Sequence, residues 1–131
     1  MGNTAKNPME LISYGLYLVT AKTGEGKDNG CIVNTFSQIT STPNRVSLAV
    51  NKANYTHNII LATGKFNVSL LTTEAPFALF HQFGFQSGEE LDKFNGVTAI
   101  QRSENGLLYL TEYSNAYISA TIDSAIDCGT H

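Results

Sequence analysis

The sequence contains no tryptophan, only three prolines and only two cysteines among its 131 residues. Two cysteines cannot build a disulfide scaffold. Cys31 and Cys128 are also too far apart for a Cys-x-x-Cys redox pair or a zinc site. Charged residues are scarce, at 15% against a usual share of about a quarter. Eight Lys and Arg stand against eleven Asp and Glu, for a net charge of -3. No basic cluster forms; Lys22 and Lys27 come nearest to one. Non-specific nucleic-acid binding needs several cations on one face, so that class is disfavoured. No apolar run reaches membrane-spanning length. Met1 to Pro8 is polar and has no signal-peptide stretch, and Lys6 occupies the position where myristoylation wants Ser or Thr. The expectation is a soluble, reduced, cytoplasmic protein. Asn54 and Asn67 lie in glycosylation sequons, read here as chance.

What is present is apolar and patterned for strands. Hydrophobic residues make up 42% of the chain, which opposes disorder. A chain of this size can bury roughly two-thirds of its unfolded surface, enough for one core. The low charged fraction also fits a chain that hides surface in an oligomer. Gly15 to Ala21 and Cys31 to Ile39 are expected as two strands around the turn-forming Thr23 to Gly30. Gly24, Gly26 and Gly30 lack dinucleotide-fingerprint spacing, and no helix follows them. Arg45 to Asn51 alternates apolar and polar, the mark of a half-buried strand. Asn54 or Thr56 can cap a helix through Ile59, Ile60 and Leu61 that closes at Gly64. Phe66, Val68 and Leu70 mark another strand, and Pro76 opens a helix to about Phe83. Glu89 to Phe94 is expected as one or two more helical turns, with Glu89, Glu90 and Asp92 as a solvated face. Short strands follow near Thr98 to Arg102 and Leu107 to Leu110, and Tyr113 to Ile126 ends the chain. About six short strands and two or three short helices predict an antiparallel barrel with helical excursions.

Two polar patches stand out. Asn34, Thr35, Ser37, Gln38, Thr40, Ser41 and Thr42 crowd one strand and its exit; Asn51 to His57 follows the next strand. In a simple hairpin these two exits lie at opposite ends, so their meeting would require a non-local connection or a second subunit. Hydroxyls, amides, one lysine and a helix N-terminus together suit a phosphate. Ordinary turn and capping roles account for the same residue types, and both readings stand. His57 reads as a solvated helix position, His81 as structural or surface, Cys31 as an inert core residue, and Tyr109, Tyr113 and Tyr117 as packing.

Three separated segments, in order, resemble the flavin reductase-like family of FMN-binding split barrels. They are Asn29 to His57 (NGCIVNTFSQITSTPNRVSLAVNKANYTH), Phe77 to Gly96 (FALFHQFGFQSGEELDKFNG), and Asp127-Cys128-Gly129-Thr130-His131. The resemblance runs from Tyr14 onward. It departs at Pro43-Asn44, where many members have two prolines. It implies a mainly β, six-stranded Greek-key split barrel, a homodimer, and FMN near the dimer interface. Asn34, Thr35 and Gln38 resemble the positions bordering the flavin, with Ser41 a looser candidate. Lys52, Asn54 and Thr56 resemble the phosphate-side positions. Phe83, Gly84 and Phe85 resemble a loop approaching the ring, and His131 resembles the histidine near the nicotinamide or ring edge.

The activity implied is reduction of flavin by NAD(P)H with onward transfer of electrons to an acceptor. The alternative is a non-enzymatic FMN carrier docking on a redox protein such as a rubredoxin. Close relatives carry a rubredoxin domain after the barrel, and its two Cys-x-x-Cys pairs are absent from these residues. A single-stranded nucleic-acid module is the third reading, opposed by the charge. No metal site is expected. The family motif ending at His131 leads into a further strand, so residues 1–131 are expected to form one domain that lacks its C-terminal strand or strands.

Overall fold

The computed structural model describes residues 7–84, Phe94 and 97–131. Its centre is β1 (Tyr17–Lys22), flanked by β2 (Asp28–Val33) and β5 (Lys65–Leu71). With β8 (Ser114–Thr121) these form a four-stranded antiparallel sheet in the order β2-β1-β5-β8. Two antiparallel hairpins complete the described strands: β3 (Phe36–Ser41) with β4 (Asn44–Leu48), and β6 (Ile100–Arg102) with β7 (Leu108–Leu110). Helix α1 (Tyr55–Thr63) joins β4 to β5, and α2 (Phe77–Gly84) follows β5. Gly64 ends α1 as expected. Its φ of 74° is left-handed, and its N–H closes on the Ile60 carbonyl at 2.8 Å.

Side-chain alternation along β1 builds a core on both of its faces. Val19 and Ala21 face one cluster, which contains Cys31, Val33, Phe66 and Val68 and is covered by Ile59 and Ile60 of α1. Leu18 faces the other, formed with Phe83, Phe94, Leu108 and Leu110. Burial on both faces explains why this strand reads as a continuous apolar run rather than an alternating one.

The polar residues of these faces join the β6–β7 hairpin to the sheet. Asn67 of β5 donates to the Leu107 and Leu108 carbonyls, each at 3.2 Å, and Thr20 of β1 also donates to the Leu108 carbonyl. Ser69 accepts from the Leu110 N–H at 3.1 Å. Thr20, Asn67 and Ser69 are all buried. These bonds pair the buried side chains with backbone groups of the hairpin, which is why buried polar groups are tolerated at these points. Asn67 is fully enclosed, so its sequon is not a glycosylation site in the folded chain. Arg102 clamps the far end of the hairpin to β2 through paired bonds of 2.9 and 2.8 Å to the Asp28 carboxylate.

Two expectations need correction. The run Cys31 to Ile39 is not one strand. It breaks at Asn34-Thr35, with β2 staying in the main sheet and β3 leaving it for a hairpin with β4. The break lets the Phe36 ring pack on Tyr17 at 5.2 Å while the chain turns away. As a result the described residues hold eight strands rather than about six. The helical turns expected within 89–94 lie outside the described residues, apart from Phe94. Among the described residues, no helix is long and apolar enough to cross a membrane.

Candidate functional site

The break at Asn34-Thr35 also brings the two polar patches together. These residues lie at the entrance of β3, not at a strand exit, so the hairpin sets them directly opposite the end of β4. The Ala49 N–H donates to the Thr35 carbonyl at 3.0 Å, and the Thr35 hydroxyl donates to the Ala49 carbonyl at 3.0 Å. Neither a distant connection nor a second subunit is needed for the meeting.

A cavity of about 340 Å³ opens at this corner, within the range of small-molecule sites. Leu16, Ile32, Val33 and Ala49 line it with apolar surface. Asn34, Thr35, Asn51, Asn54 and His131 supply its polar groups. Asn54 is the N-cap of α1, its side chain makes no capping bond, and it lines the cavity. The N-terminus of α1 lies at this end of the cavity, and the helix dipole gives it a partial positive charge.

His131 reaches the cavity because the C-terminal turn docks on the turn after β4. Lys52 N–H donates to the Thr130 carbonyl at 2.8 Å, and Lys52 Nζ pairs with Asp127 Oδ1 at 2.5 Å. That Lys52 bond, the Gly129 amide and the charges of Lys52 and His57 hold the Asp127 carboxyl below its ordinary range. A carboxylate with a lowered pKa stabilises the folded arrangement above the ordinary range. That contribution is lost as pH falls through the lowered value. The docked turn is therefore expected to persist at about pH 5 and to loosen only below about pH 4. Amide resonances of residues 128–131 followed through an acid titration check this; loosening already at pH 5 to 6 would contradict it.

The structure thus gathers four expected site residues, Asn34, Thr35, Asn54 and His131, around one cavity. The others lie elsewhere. Gln38 and Ser41 are exposed further along β3, with Gln38 Nε2 donating to the Thr40 carbonyl at 3.3 Å. Lys52 is engaged with Asp127 instead of lining the cavity. Thr56 is fully buried, and its hydroxyl accepts from Asn29 Nδ2 at 2.8 Å. Phe83 is not on a loop: it lies in α2, buried in the second core cluster with its ring 4.9 Å from that of Phe94. Gly84 ends α2, and Phe85 lies outside the described residues. Asn51, within the second polar patch, is a cavity residue that the candidate set omitted. The apolar wall, Leu16, Ile32, Val33 and Ala49, gives no sequence signal of its own, since such residues look like any core.

The arrangement is a largely polar, amide-rich cavity bordered by a few apolar residues and a helix N-terminus, a chemistry that suits a ligand with polar edges and an anionic group. The family model "Flavin reductase like domain" matches residues 9–131, so the chain belongs to the flavin reductase-like domain family. Among curated proteins, the chain is 44% identical to the high molecular weight rubredoxin of Moorella thermoacetica, covering 94% of this chain and 53% of that protein. It is 39% identical to a ferric-chelate reductase (NAD(P)H) of Archaeoglobus fulgidus, covering 92% and 70%. The chain therefore spans about half the length of the first of these. Among solved structures, flavoredoxin of Desulfovibrio vulgaris (Miyazaki F) superposes with a TM-score of 0.80 at 22% identity, over 97% of this chain and 69% of that one. An FMN-binding protein from Thermus thermophilus gives 0.79 at 20% identity, over 100% and 71%. These two likenesses establish the fold, and the split-barrel class expected from the motifs is the class observed.

Proposed function

We propose that this domain binds FMN in the cavity between β2, β3, β4 and α1 and works as an NAD(P)H-dependent flavoprotein oxidoreductase. The observation that carries the reading is the convergence of Asn34, Thr35, Asn54 and His131 on one cavity. The residues fit the cofactor. Ile32, Val33 and Ala49 border the cavity with apolar residues, the Asn34 and Asn51 amides can serve a ring's polar edge, and the uncapped Asn54 with the α1 N-terminus suits a terminal phosphate. When bound, FMN would supply the hydride-accepting and electron-passing chemistry, while the protein binds and orients it. Thr35 holds the β3 entrance against Ala49, which keeps the rim in place. His131 presents an imidazole at the open side, with its Nδ1 held by the Thr130 hydroxyl at 2.8 Å.

The name of the Archaeoglobus relative supports NAD(P)H as donor and a reducible acceptor. The name of the Moorella relative supports an electron-carrier protein as acceptor, and with it the second reading, an FMN carrier that docks on a rubredoxin or similar partner. A homodimer is part of the proposal. It is supported by large apolar side chains left exposed in one copy, including Ile39, Tyr113, Tyr117 and Ile126. A cytoplasmic location is supported by two cysteines that form no disulfide, one of them exposed.

At about 0.3 kcal/mol per atom over roughly thirty atoms, FMN is expected to bind near -9 kcal/mol, in the submicromolar range. Sedimentation velocity of the protein mixed with FMN, followed in the flavin absorption band, tests cofactor and assembly together. The expected result is flavin moving with a dimer, bleached by NADH or NADPH under anaerobic conditions. Flavin that sediments free of the protein would overturn the site. Bound flavin left oxidised by excess NAD(P)H, but reduced by a reduced carrier protein, would establish the second reading.

A further inference from the structure

Lys52 grips the C-terminal turn twice. Its backbone N–H holds the Thr130 carbonyl at 2.8 Å, and its ammonium holds Asp127 Oδ1. The same Asp127 oxygen accepts from the Gly129 N–H at 2.9 Å, which ties the pair to the turn itself. Gly129 has a φ of 108°, a backbone state open to glycine but strained for other residues. The turn closes through Cys128 N–H to the His131 carbonyl at 3.0 Å. The Lys52 and Asp127 side chains are 39% and 74% exposed, and such surface pairs contribute little to global stability. The value of the pair is geometric.

We propose that Lys52 and Asp127 are a positioning pair that docks the Asp127–His131 turn and thereby sets His131 as one wall of the ligand cavity. This inference rests on reading that cavity as the flavin site. It differs from a role for Lys52 as a phosphate ligand, because here the lysine acts through the turn and the ligand's phosphate is irrelevant to it. The two roles predict opposite effects at Asp127. If the pair positions the turn, removing either charge weakens binding. If Lys52 instead serves the phosphate, neutralising Asp127 releases the lysine and tightens FMN binding.

Lys52→Met, Asp127→Asn and the double variant, each with and without His131→Ala, would be titrated with FMN and with riboflavin by flavin fluorescence. Each single variant is expected to weaken both ligands equally, by about fivefold, with the double variant no worse than either single. In the His131→Ala background the effect is expected to vanish. A loss confined to FMN for Lys52→Met, with tighter FMN binding by Asp127→Asn, would overturn the proposal, as would unchanged binding in both. The flavin-free proteins provide a second reading by NMR, with the backbone of residues 128–131 expected to lose order in both single variants. If that order is lost but the parent chain binds no flavin, the pair stands and the flavin site falls. If the order is unchanged, the positioning pair falls whatever the flavin does.

Discussion

Replacing Asn67 by alanine is expected to lower the free energy of unfolding by about 3 kcal/mol, the sum of several unmet buried bonds. Asn67 is fully buried in β5. Its amide nitrogen donates to Ser103 Oγ at 2.9 Å and to the carbonyls of Leu107 and Leu108. Its oxygen accepts from Asn105 Nδ2 at 2.9 Å. One side chain therefore satisfies both the turn and the inner edge of the β6–β7 hairpin. Alanine would strip these partners away where water does not readily reach, and a network of this kind is lost as a unit. Asn54 supplies the contrast, since its side chain makes no capping bond. Asn54→Ala is expected to cost less than about 0.5 kcal/mol, below the usual loss of a cap. Urea unfolding of both variants checks the pair of values. A loss below about 1 kcal/mol at Asn67 would show that the hairpin finds other partners.

Ala49→Phe is expected to reduce FMN affinity by roughly a hundredfold, about 2.7 kcal/mol, while leaving the fold intact. Ala49 lines the cavity beside Thr35. Its structural bonds to Thr35 run through its backbone, so they survive the substitution. A phenyl ring at this position would fill much of the 340 Å³ that the ligand needs. Flavin titration with circular dichroism as a control for folding is the measurement. Unchanged affinity in a folded variant would place the flavin elsewhere on the molecule.

Much of the fold was legible in the sequence for local reasons. The apolar run of β1, the hydrophobic periods of β4 and β5, the Gly64 stop of α1 and the Asn105-Gly106 turn each depend on residues within a few positions of one another. The motif segments carried the family and the barrel class as well. Asn34, Thr35 and Asn54 were legible as site candidates because they fall in two runs crowded with polar residues and because they match the family's motif, and His131 was legible through that resemblance alone.

Tertiary structure decided the rest. Whether Cys31 to Ile39 is one strand or two depends on which neighbours its halves pair with, and those neighbours, β1 and β4, lie on either side of it in the chain. That choice turned Asn34-Thr35 from the middle of a strand into a corner, and so made the cavity. Lys52 and Thr56 look alike as phosphate candidates in sequence. Packing separated them, turning the Thr56 hydroxyl inward to Asn29 and giving Lys52 a carboxylate from the far end of the chain. Phe83 followed the same logic, because an aromatic residue next to glycine suits a ligand loop and a core helix equally. Local propensity sets what each segment can be; burial and the pairing of distant groups determine which side chains remain available to bind.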